Sequence, residues 1–396
     1  MSPSHSPAPC QPVADLNGAA TADGFEPTDD VLYLNTAGAA PRLHAVTAVA
    51  QRAVTDSARP WTTPGDAWIE QTEALRTLAA TLLHTQAEAL AYTPSVSYAM
   101  ALAARNLPLQ RGDNVVVLAR EYPSNRTVWQ LAAQRVGAVP RAAAARPGED
   151  WTAAVLDCID ARTAVICIPH CHWADGAMLD LATVADAART AHAALVIDAS
   201  QSLGILELDL DRLGADFVVA PGHKWLLGPY GLGWLWASPR WREHGVPLEQ
   251  TALARLEVLG DFTTRGAHLP PYRPGARRFD FGPYPHPLSV PMAEAALRQI
   301  QRWGGVAALS SRLGGLSAHL RTALSRHGLL DGLRTPHAPH LCAWVPPAGA
   351  RDRVMQALVT ERIIAAQRGD GIRIAPHLHV SAEDLDRLAR VLAAAC

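Results

Sequence analysis

One lysine stands in the middle of an otherwise apolar stretch. Lys224 lies in VVAPGHKWLLGPYGLGWLW, residues 218–236, and is followed closely by three glycines and a proline. Its stem could pack over the apolar neighbours while the ammonium reaches water, as in most lysines. Alternatively, burial disfavours the charged form, lowers the pKa and leaves a neutral amine that acts as nucleophile and base. The position of Lys224 alone leaves both interpretations open.

A carboxylate closes another apolar run. Asp198 ends ALVID, residues 194–198, where an unpaired charge is costly. A helix cap or turn is one explanation for such a residue. The other explanation depends on Lys224. An acid and a Schiff-base lysine that face one crevice are what pyridoxal 5'-phosphate needs, because the acid keeps the pyridine nitrogen protonated and the ring can then accept electrons.

The surrounding sequence predicts how these residues are positioned. Short apolar runs alternate with alanine-rich amphipathic stretches, a pattern typical of βαβ units. We therefore predict an α/β fold with a mainly parallel sheet covered by helices on both faces. Ligands bind at the carboxyl ends of such strands. The runs predicted as strands lie at 115–119, 164–169, 194–199, 216–221 and 233–237.

The length of 396 residues indicates a large domain with a smaller one attached. Residues 1–30 are rich in Pro, Ser, Ala and Asp and are expected to form a flexible arm. A large cofactor-binding domain is predicted over 31–255, and a connecting segment over 256–285. A smaller α/β domain is predicted over 286–396, with helices near 289–302, 306–327, 351–360 and 381–395.

The composition restricts the class of partner. A net charge of -2 and a pI near 6.8 argue against nucleic-acid binding, and we expect a small-molecule substrate. The six cysteines show no CxxC spacing and are expected to be reduced thiols. No stretch is long and apolar enough to suggest a membrane span or a signal peptide, so we expect a cytoplasmic protein.

From about residue 31 to its end, the chain resembles the class V aminotransferase family of fold-type I pyridoxal-phosphate enzymes. VIDASQSLG is similar to the family strand that carries the pyridinium-binding acid, and GHKWLLGPYGLG is similar to the lysine motif. The resemblance implies that Lys224 forms the Schiff base with the cofactor and that Asp198 binds the pyridine nitrogen. It also implies that Gln201 approaches the phenolic oxygen and that His223 lies beside the phosphate.

Other segments extend the resemblance to the cofactor. YTPSVSYAM, residues 92–100, is similar to the turn that opens a helix under the phosphate, which implies an anion site at Ser95, Val96 and Ser97. A helix-capping serine is the structural alternative. REYPSNRTVW places Tyr122 where the family has an aromatic residue or a histidine stacked on the pyridine ring.

The substrate residues are implied by two further segments. IRIAPH, residues 372–377, is similar to a C-terminal family landmark in which Arg373 would bind the substrate carboxylate through its planar fork. YLNTAG resembles the N-terminal segment that folds over the substrate, which implicates Asn35, Ala37 and Gly38.

Three positions depart from the family pattern. Pro221 stands where many relatives have a hydroxyl on the phosphate. His172 stands where relatives often have an asparagine near the phenolic oxygen; it either takes over that contact, and is then a cofactor residue, or gives the site a different polarity. Pro283 stands where relatives commonly have a threonine that reaches the partner subunit's phosphate. Family sites are usually assembled at a subunit interface, and we expect a homodimer.

A metal site is a competing interpretation. His170, Cys171 and His172 could meet His377 and His379, and zinc favours such ligands. No carboxylate spacing supplies a clear further ligand, so we expect no metal. The glycines of GPYGLG do not fit the dinucleotide-binding pattern.

The reaction type remains open at this point. The resemblance implies abstraction of the Cα proton of an α-amino acid, and transamination is the expected outcome. A β-eliminating C–S lyase and an amino-acid epimerase are alternatives within the family. A binding protein that has lost catalysis is an alternative from another class. It is disfavoured because both Lys224 and Asp198 are present.

Overall fold

The computed structural model describes residues 24–26, 28, 30–62, 65–145, 150–251, 254–255, 270–282 and 286–396. Among these residues, seven strands form one sheet. From edge to edge the strands are β2 (Leu90–Thr93), β8 (Gly233–Ala237), β7 (Phe217–Pro221), β6 (Ala194–Asp198), β5 (Thr163–Pro169), β3 (Asn114–Leu118) and β4 (Val139–Ala143). Within this sheet, β8 runs in the direction opposite to the other six strands. The predicted α/β class with a mainly parallel sheet is confirmed.

Both faces of the sheet are buried, which explains the continuous apolar runs in the sequence. Side chains alternate between two apolar clusters along each central strand. In β3, for example, Val116 packs on one face, and Val115 and Val117 pack on the other. Helices cover both faces, as predicted.

The helices that pack around the sheet follow the predicted alternation. Those between the strands begin with recognisable signals, such as the Asp180 carboxylate that accepts a hydrogen bond from the Thr183 backbone N–H. The α-helices are α1 (His44–Ser57), α2 (Gly65–Leu82), α3 (Val96–Asn106), α4 (Pro123–Val136), α5 (Trp151–Leu156), α6 (Leu181–Thr190), α7 (Pro239–His244), α8 (Ser289–Arg302), α9 (Gly305–Arg326), α10 (Arg351–Thr360) and α11 (Ala382–Ala395).

The C-terminal residues build a second apolar core with three short strands. Strands β9 (Cys342–Trp344), β11 (Ala366–Arg368) and β12 (Gly371–Ile374) are antiparallel, and α9, α10 and α11 pack over them. The N-terminal strand β1 (Leu32–Tyr33) pairs with β10 (Ile363–Ile364).

The first strand among the described residues thus belongs structurally with the C-terminal part of the chain. Leu32 and Leu34 are buried in the second core. Phe25, inside the predicted arm, is also buried, and its ring stacks on that of Trp303 at 5.6 Å. The predicted boundaries at 30, 255 and 285 remain a prediction. Most of the arm, most of the connecting segment and Pro283 lie outside the described residues.

A buried ion pair ties the end of the connecting segment to the sheet. The Arg76 guanidinium, which is fully buried, donates to both carboxylate oxygens of Asp280 at 3.2 and 2.7 Å. The backbone N–H of Tyr92 in β2 donates to the same carboxylate at 2.9 Å. This bidentate contact joins the segment around Asp280 to α2, which carries Arg76, and to the edge strand β2. Within the described part of the chain, no helix has the length and apolar character to cross a membrane.

Candidate active site

A cavity of about 400 Å³ lies at the carboxyl ends of β5, β6 and β7, where parallel sheets bind ligands. It brings together most of the residues predicted for the site. The predicted residues that line it are Ala37, Gly38, Ser95, Val96, Ser97, Tyr122, Asp198, Gln201, His223, Lys224 and Arg373.

Lys224 lies in the turn that follows β7. The turn begins at Gly222, where a Cβ atom would lie 2.4 Å from the carbonyl oxygen of Leu232, so the chain passes too close for any side chain. Burial lowers the pKa of Lys224 to about 8, and the positive charge of Arg373 acts in the same direction. The Asp198 carboxylate opposes this shift. Lys224 is also the only lysine in the sequence, so the single amine side chain of the protein is the buried one.

Asp198 ends β6 and is buried. Its carboxylate accepts a hydrogen bond from the Ser200 backbone N–H at 2.9 Å. Burial raises the pKa of Asp198, and the hydrogen bonds from Ser200 and the charge of Lys224 partly offset this effect. A buried carboxyl of this kind gains from a cationic N–H partner in the cavity.

Gln201 is held in one orientation by neighbours on both sides of its amide. Its Nε2 donates to the carbonyl oxygen of Ala37 at 3.0 Å, and its Oε1 accepts from the indole N–H of Trp225 at 2.8 Å. The backbone carbonyl oxygen of Gln201 accepts a hydrogen bond from Nε2 of His340 at 2.7 Å. Since an amide nitrogen has two N–H groups, one remains for a ligand in the cavity.

The N-terminus of α3 faces the cavity and is suited to an anion. The Ser95 hydroxyl accepts from the Tyr98 backbone N–H at 3.1 Å, so this side chain caps the helix. The helix dipole and the first N–H groups, at Val96 and Ser97, attract negative charge. This geometry fits a phosphate group.

His223 is a neutral neighbour of that region. Its ring stacks on Tyr230 with centroids 3.9 Å apart and an interplanar angle of 17°. Burial, followed by the charge of Lys224, lowers the pKa of His223 to about 4. His223 would therefore act at neutral pH through hydrogen bonds and not as a cation.

Tyr122 follows β3 and begins α4. Its ring centre lies 5.7 Å from Nζ of Lys224, and the edge of Trp173 packs against it at 5.5 Å. The side chain is 45% exposed, which leaves ring surface for a flat ligand to cover. Stacking of this ring on the pyridine ring of the cofactor stays a prediction.

Arg373 projects from β12 and is held by two neutral acceptors. Its guanidinium donates to the carbonyl oxygen of Trp173 and to Oδ1 of Asn35, each at 2.8 Å. Burial, and then the charge of Arg368, lowers the pKa of Arg373 to about 10. Asn35 is thus absent from the cavity lining and acts on the site by positioning Arg373.

The structure does not bring His172 into the cavity, in contrast to the prediction. Its ring is fully buried, with Nδ1 2.6 Å from Oδ1 of Asp175 and Nε2 3.2 Å from the carbonyl oxygen of Arg120. Its neighbours Cys171 and Trp173 line the cavity instead. Side chains alternate along extended backbone, so the residue between them faces away.

Several further residues line the cavity without having been assigned a site role from the sequence, among them Glu121, Ser200, Tyr230 and Arg368. The signal for Glu121 was its place at the end of a strand. Its Oε1 accepts from the Tyr122 backbone N–H at 2.7 Å, while its buried Oε2 has no hydrogen-bond partner. Burial, and then the nearby Asp198, raises the pKa of Glu121 to about 8.

Three of the four histidines considered as metal ligands, His172, His377 and His379, have other hydrogen-bond partners, whereas Nδ1 of His170 is buried without one within the described chain. The His377 ring accepts from the Leu378 backbone N–H at 2.8 Å, and His379 donates to the carbonyl oxygen of Tyr33 at 2.8 Å. Among the described residues, no group of three or more His, Cys, Asp or Glu side chains is placed to hold a metal ion.

A buried amine, a buried carboxyl, a helix N-terminus and an aromatic ring therefore surround one cavity. These residues fit pyridoxal 5'-phosphate: Lys224 would hold its aldehyde carbon, Asp198 its pyridine nitrogen and α3 its phosphate. This fold and this site define a pyridoxal-phosphate-dependent enzyme of the fold-type I architecture.

The chain belongs to the aminotransferase class-V family, whose sequence model matches residues 32–379. An uncharacterized aminotransferase from Bacillus subtilis is 28% identical over 327 residues, which cover 80% of this chain and 82% of the relative. Isopenicillin N epimerase from Streptomyces clavuligerus is 29% identical over 331 residues, which cover 76% and 79%.

Solved structures share the fold. The cystine C–S lyase C-DES, in a form with glycine covalently linked to its pyridoxal-phosphate cofactor, superposes with a TM-score of 0.82. Its sequence is 21% identical, and the alignment covers 93% of this chain and 98% of that one.

Proposed function

We propose that this protein is an aminotransferase that acts on an α-amino acid, with Lys224 as the base that removes the Cα proton. The observation that carries this proposal is the buried amine of Lys224, whose pKa is lowered to about 8, in one cavity with Asp198 and Arg373. A base with a pKa near neutrality is free to accept a proton at physiological pH and to return it.

The roles of the side chains follow from their positions. Arg373, held by two neutral acceptors, would bind the α-carboxylate through its planar fork and orient Cα toward Lys224. Asp198 would accept a hydrogen bond from the pyridine N–H and keep that nitrogen protonated. The bound cofactor supplies an electron sink for the electrons of the Cα–H bond. Lys224 Nζ would take that proton and return it on the same side of the substrate.

Transamination needs only one such base, because the proton can leave and return on the same side of the substrate. Epimerisation requires a second group on the opposite side of Cα. The relative with 80% coverage of this chain carries the name of an aminotransferase, which supports the first outcome. C–S lyase activity, which is named for C-DES, supports β-elimination as the alternative, and an assay of the reaction products distinguishes it from transamination.

Cysteine desulfuration is not proposed, because burial disfavours the thiolate form of both Cys342 and Cys171. Cys342 is buried in β9, and burial raises its pKa to about 12. Cys171 lines the cavity but is buried, and burial raises its pKa as well. A nucleophilic cysteine requires the thiolate form.

The test is a panel of L-amino acids incubated with the loaded enzyme and an α-keto acid acceptor. We expect a new keto acid without release of ammonia or sulfide, and exchange of the Cα proton for deuterium in deuterium oxide. Ammonia or sulfide without amino transfer would refute transamination in favour of elimination. A D-amino acid as the main product would refute it in favour of epimerisation. Lys224→Ala is the control.

A homodimer and a cytoplasmic location are further parts of the proposal. Trp61 is 79% exposed and Val54 is 57% exposed, and burial of these apolar side chains against a second chain would favour association. Light scattering should give the mass of two chains, and Trp61→Ser should weaken the association. A monomer with full activity would contradict this part.

A further inference from the structure

Two arginines enter the cavity from one hairpin. In the pair β11–β12, Ala366 lies directly opposite Arg373. Residues two apart on a strand share a face, so Arg368 stands on the same face, diagonal to Arg373. Diagonal neighbours have Cβ atoms roughly 7 Å apart. Both side chains line the cavity that contains Lys224.

Neither guanidinium is neutralised by a described residue. Arg373 donates only to neutral oxygens, those of Trp173 and Asn35. Arg368 donates to the carbonyl oxygen of Gln367 at 2.8 Å, and its buried Nε has no hydrogen-bond partner. In the described chain, no carboxylate lies within ion-pair distance of either arginine. Two unpaired cations beside a lysine repel one another, which favours an anionic ligand.

The two guanidiniums lie at different ends of Trp173. Its carbonyl oxygen holds Arg373, whereas Cζ of Arg368 lies 5.5 Å from the centre of its indole ring. A guanidinium fork matches the two oxygens of one carboxylate. An α-carboxylate on Arg373 therefore leaves Arg368 for a second anion on the same ligand.

We propose that the substrate is an α-amino acid whose side chain carries an anionic group, a carboxylate, a sulfinate or a phosphate. The α-carboxylate binds Arg373, and the anionic end of the side chain binds Arg368. The inference rests on the proposed function, because it places the amino group of this substrate at Lys224.

Binding of unreactive diacids tests the inference without catalysis. Succinate and glutarate carry two carboxylates, while butyrate and valerate have the same chain lengths and one carboxylate. Titration calorimetry of the loaded enzyme should give dissociation constants for the diacids at least roughly tenfold lower, as expected for an added charge-assisted contact. Equal affinities would overturn the inference.

Variants distinguish the contributions of Arg368 and Arg373 to ligand binding. Arg368→Gln should raise the diacid dissociation constants to the monoacid values and leave monoacid binding unchanged. Arg373→Gln should weaken both classes, and Arg368→Lys should retain part of the diacid preference because it keeps the charge. Arg135→Gln, at an exposed position on α4, is the control. Diacid binding unaffected by Arg368→Gln would overturn the inference.

Matched substrates complete the test. Aspartate and asparagine, or glutamate and glutamine, differ mainly in the side-chain charge, while cysteine sulfinate and phosphoserine represent the other anions. We expect kcat/KM to be highest within the anionic set and to fall with Arg368→Gln for those substrates only. Equal kcat/KM for the acids and amides, with the cofactor still attached to Lys224, would refute the anionic substrate and leave the proposed function standing.

Discussion

The Nζ atom of Lys224 lies 5.7 Å from the ring centre of Tyr122, although the two residues follow strands β7 and β3, which β6 and β5 separate in the sheet. They meet because parallel strands deliver the segments that follow them to one edge. A planar group attached to Lys224 is within reach of the Tyr122 ring.

This relationship predicts that Tyr122 contributes to cofactor affinity through its ring and not its hydroxyl. Tyr122→Ala should raise the dissociation constant of pyridoxal phosphate roughly fivefold, since a stacked aromatic pair contributes about 1 kcal/mol. Tyr122→Phe should retain the wild-type value. Absorbance titration of the apoprotein measures both. Equal losses in the two variants would contradict a stacking role.

The pKa of Lys224 can be followed directly, because no other side chain in the protein carries a primary amine. We expect the rate of amine modification of the apoprotein at Lys224 to rise with a midpoint near pH 8. The Asp198 carboxylate favours the charged form, so Asp198→Asn should lower the midpoint. Arg373→Gln should raise it, because a neighbouring positive charge is removed. Mass spectrometry of the labelled peptide gives the profile.

A midpoint near the ordinary lysine value of 10.5 would show that Lys224 is solvated. Arg135→Gln, far from the cavity, should leave the midpoint unchanged.

The carboxyl of Glu121 predicts a pH dependence of stability. Its pKa is raised from 4.5 to about 8, mainly by burial, so the folded protein keeps this proton between these pH values while the unfolded chain loses it. Stability from this group is therefore present below about pH 4.5 and falls as the pH rises toward 8, by at most roughly 1.4 kcal/mol per pH unit.

Glu121→Gln should remove this decline, since glutamine keeps the acceptor and carries no charge. Denaturant unfolding of the apoprotein at several pH values measures it, with the exposed Glu207→Gln as the control. A decline of the same slope in Glu121→Gln would contradict the assignment.

The pair Arg76–Asp280 predicts a large loss of stability. Asp280→Ala removes the bidentate buried counter-charge of Arg76 and leaves only the longer ionic contact of its Nε with Glu73 at 3.4 Å, which costs roughly 3–5 kcal/mol. Asp370→Ala breaks the half-exposed pair with Arg334 and should cost less than about 1 kcal/mol. Urea unfolding measures the free energy of unfolding of both variants. Similar losses in the free energy of unfolding for the two variants would contradict the larger contribution assigned to the buried pair.

Much of the sheet was predictable because its strands are buried on both faces. Runs such as ALVID and GWLWA contain only residues that suit a buried strand, apart from the functional Asp198 at an end. The two edge strands, β2 and β4, were not predicted. The sequence of β4, VPRAA, is mostly exposed at the sheet edge, where a proline is tolerated and apolar patterning is absent.

The site residues that directly follow strands were predictable from the sequence. The prediction failed where the local backbone geometry sets the direction of a side chain. Asp198 and Lys224 lie at strand ends, which the parallel sheet gathers together. His172 faces away because a one-residue step reverses the side of an extended segment. Arg368 could have been found from RGDG, which marks a hairpin and places it on the face of Arg373. Arg76 and Asp280 are 204 positions apart, and nothing local in the sequence links them.

The central claim is that the cofactor is covalently linked to the protein at Lys224, and a single experiment measures this link directly. Apoprotein is incubated with pyridoxal phosphate, reduced with borohydride, digested and analysed by mass spectrometry, with Lys224→Arg as the charge-matched control. We predict stoichiometric attachment at Lys224, which is absent in Lys224→Arg. A wild-type protein that carries no label, or carries it only on the α-amino group at the start of the chain, would contradict the account.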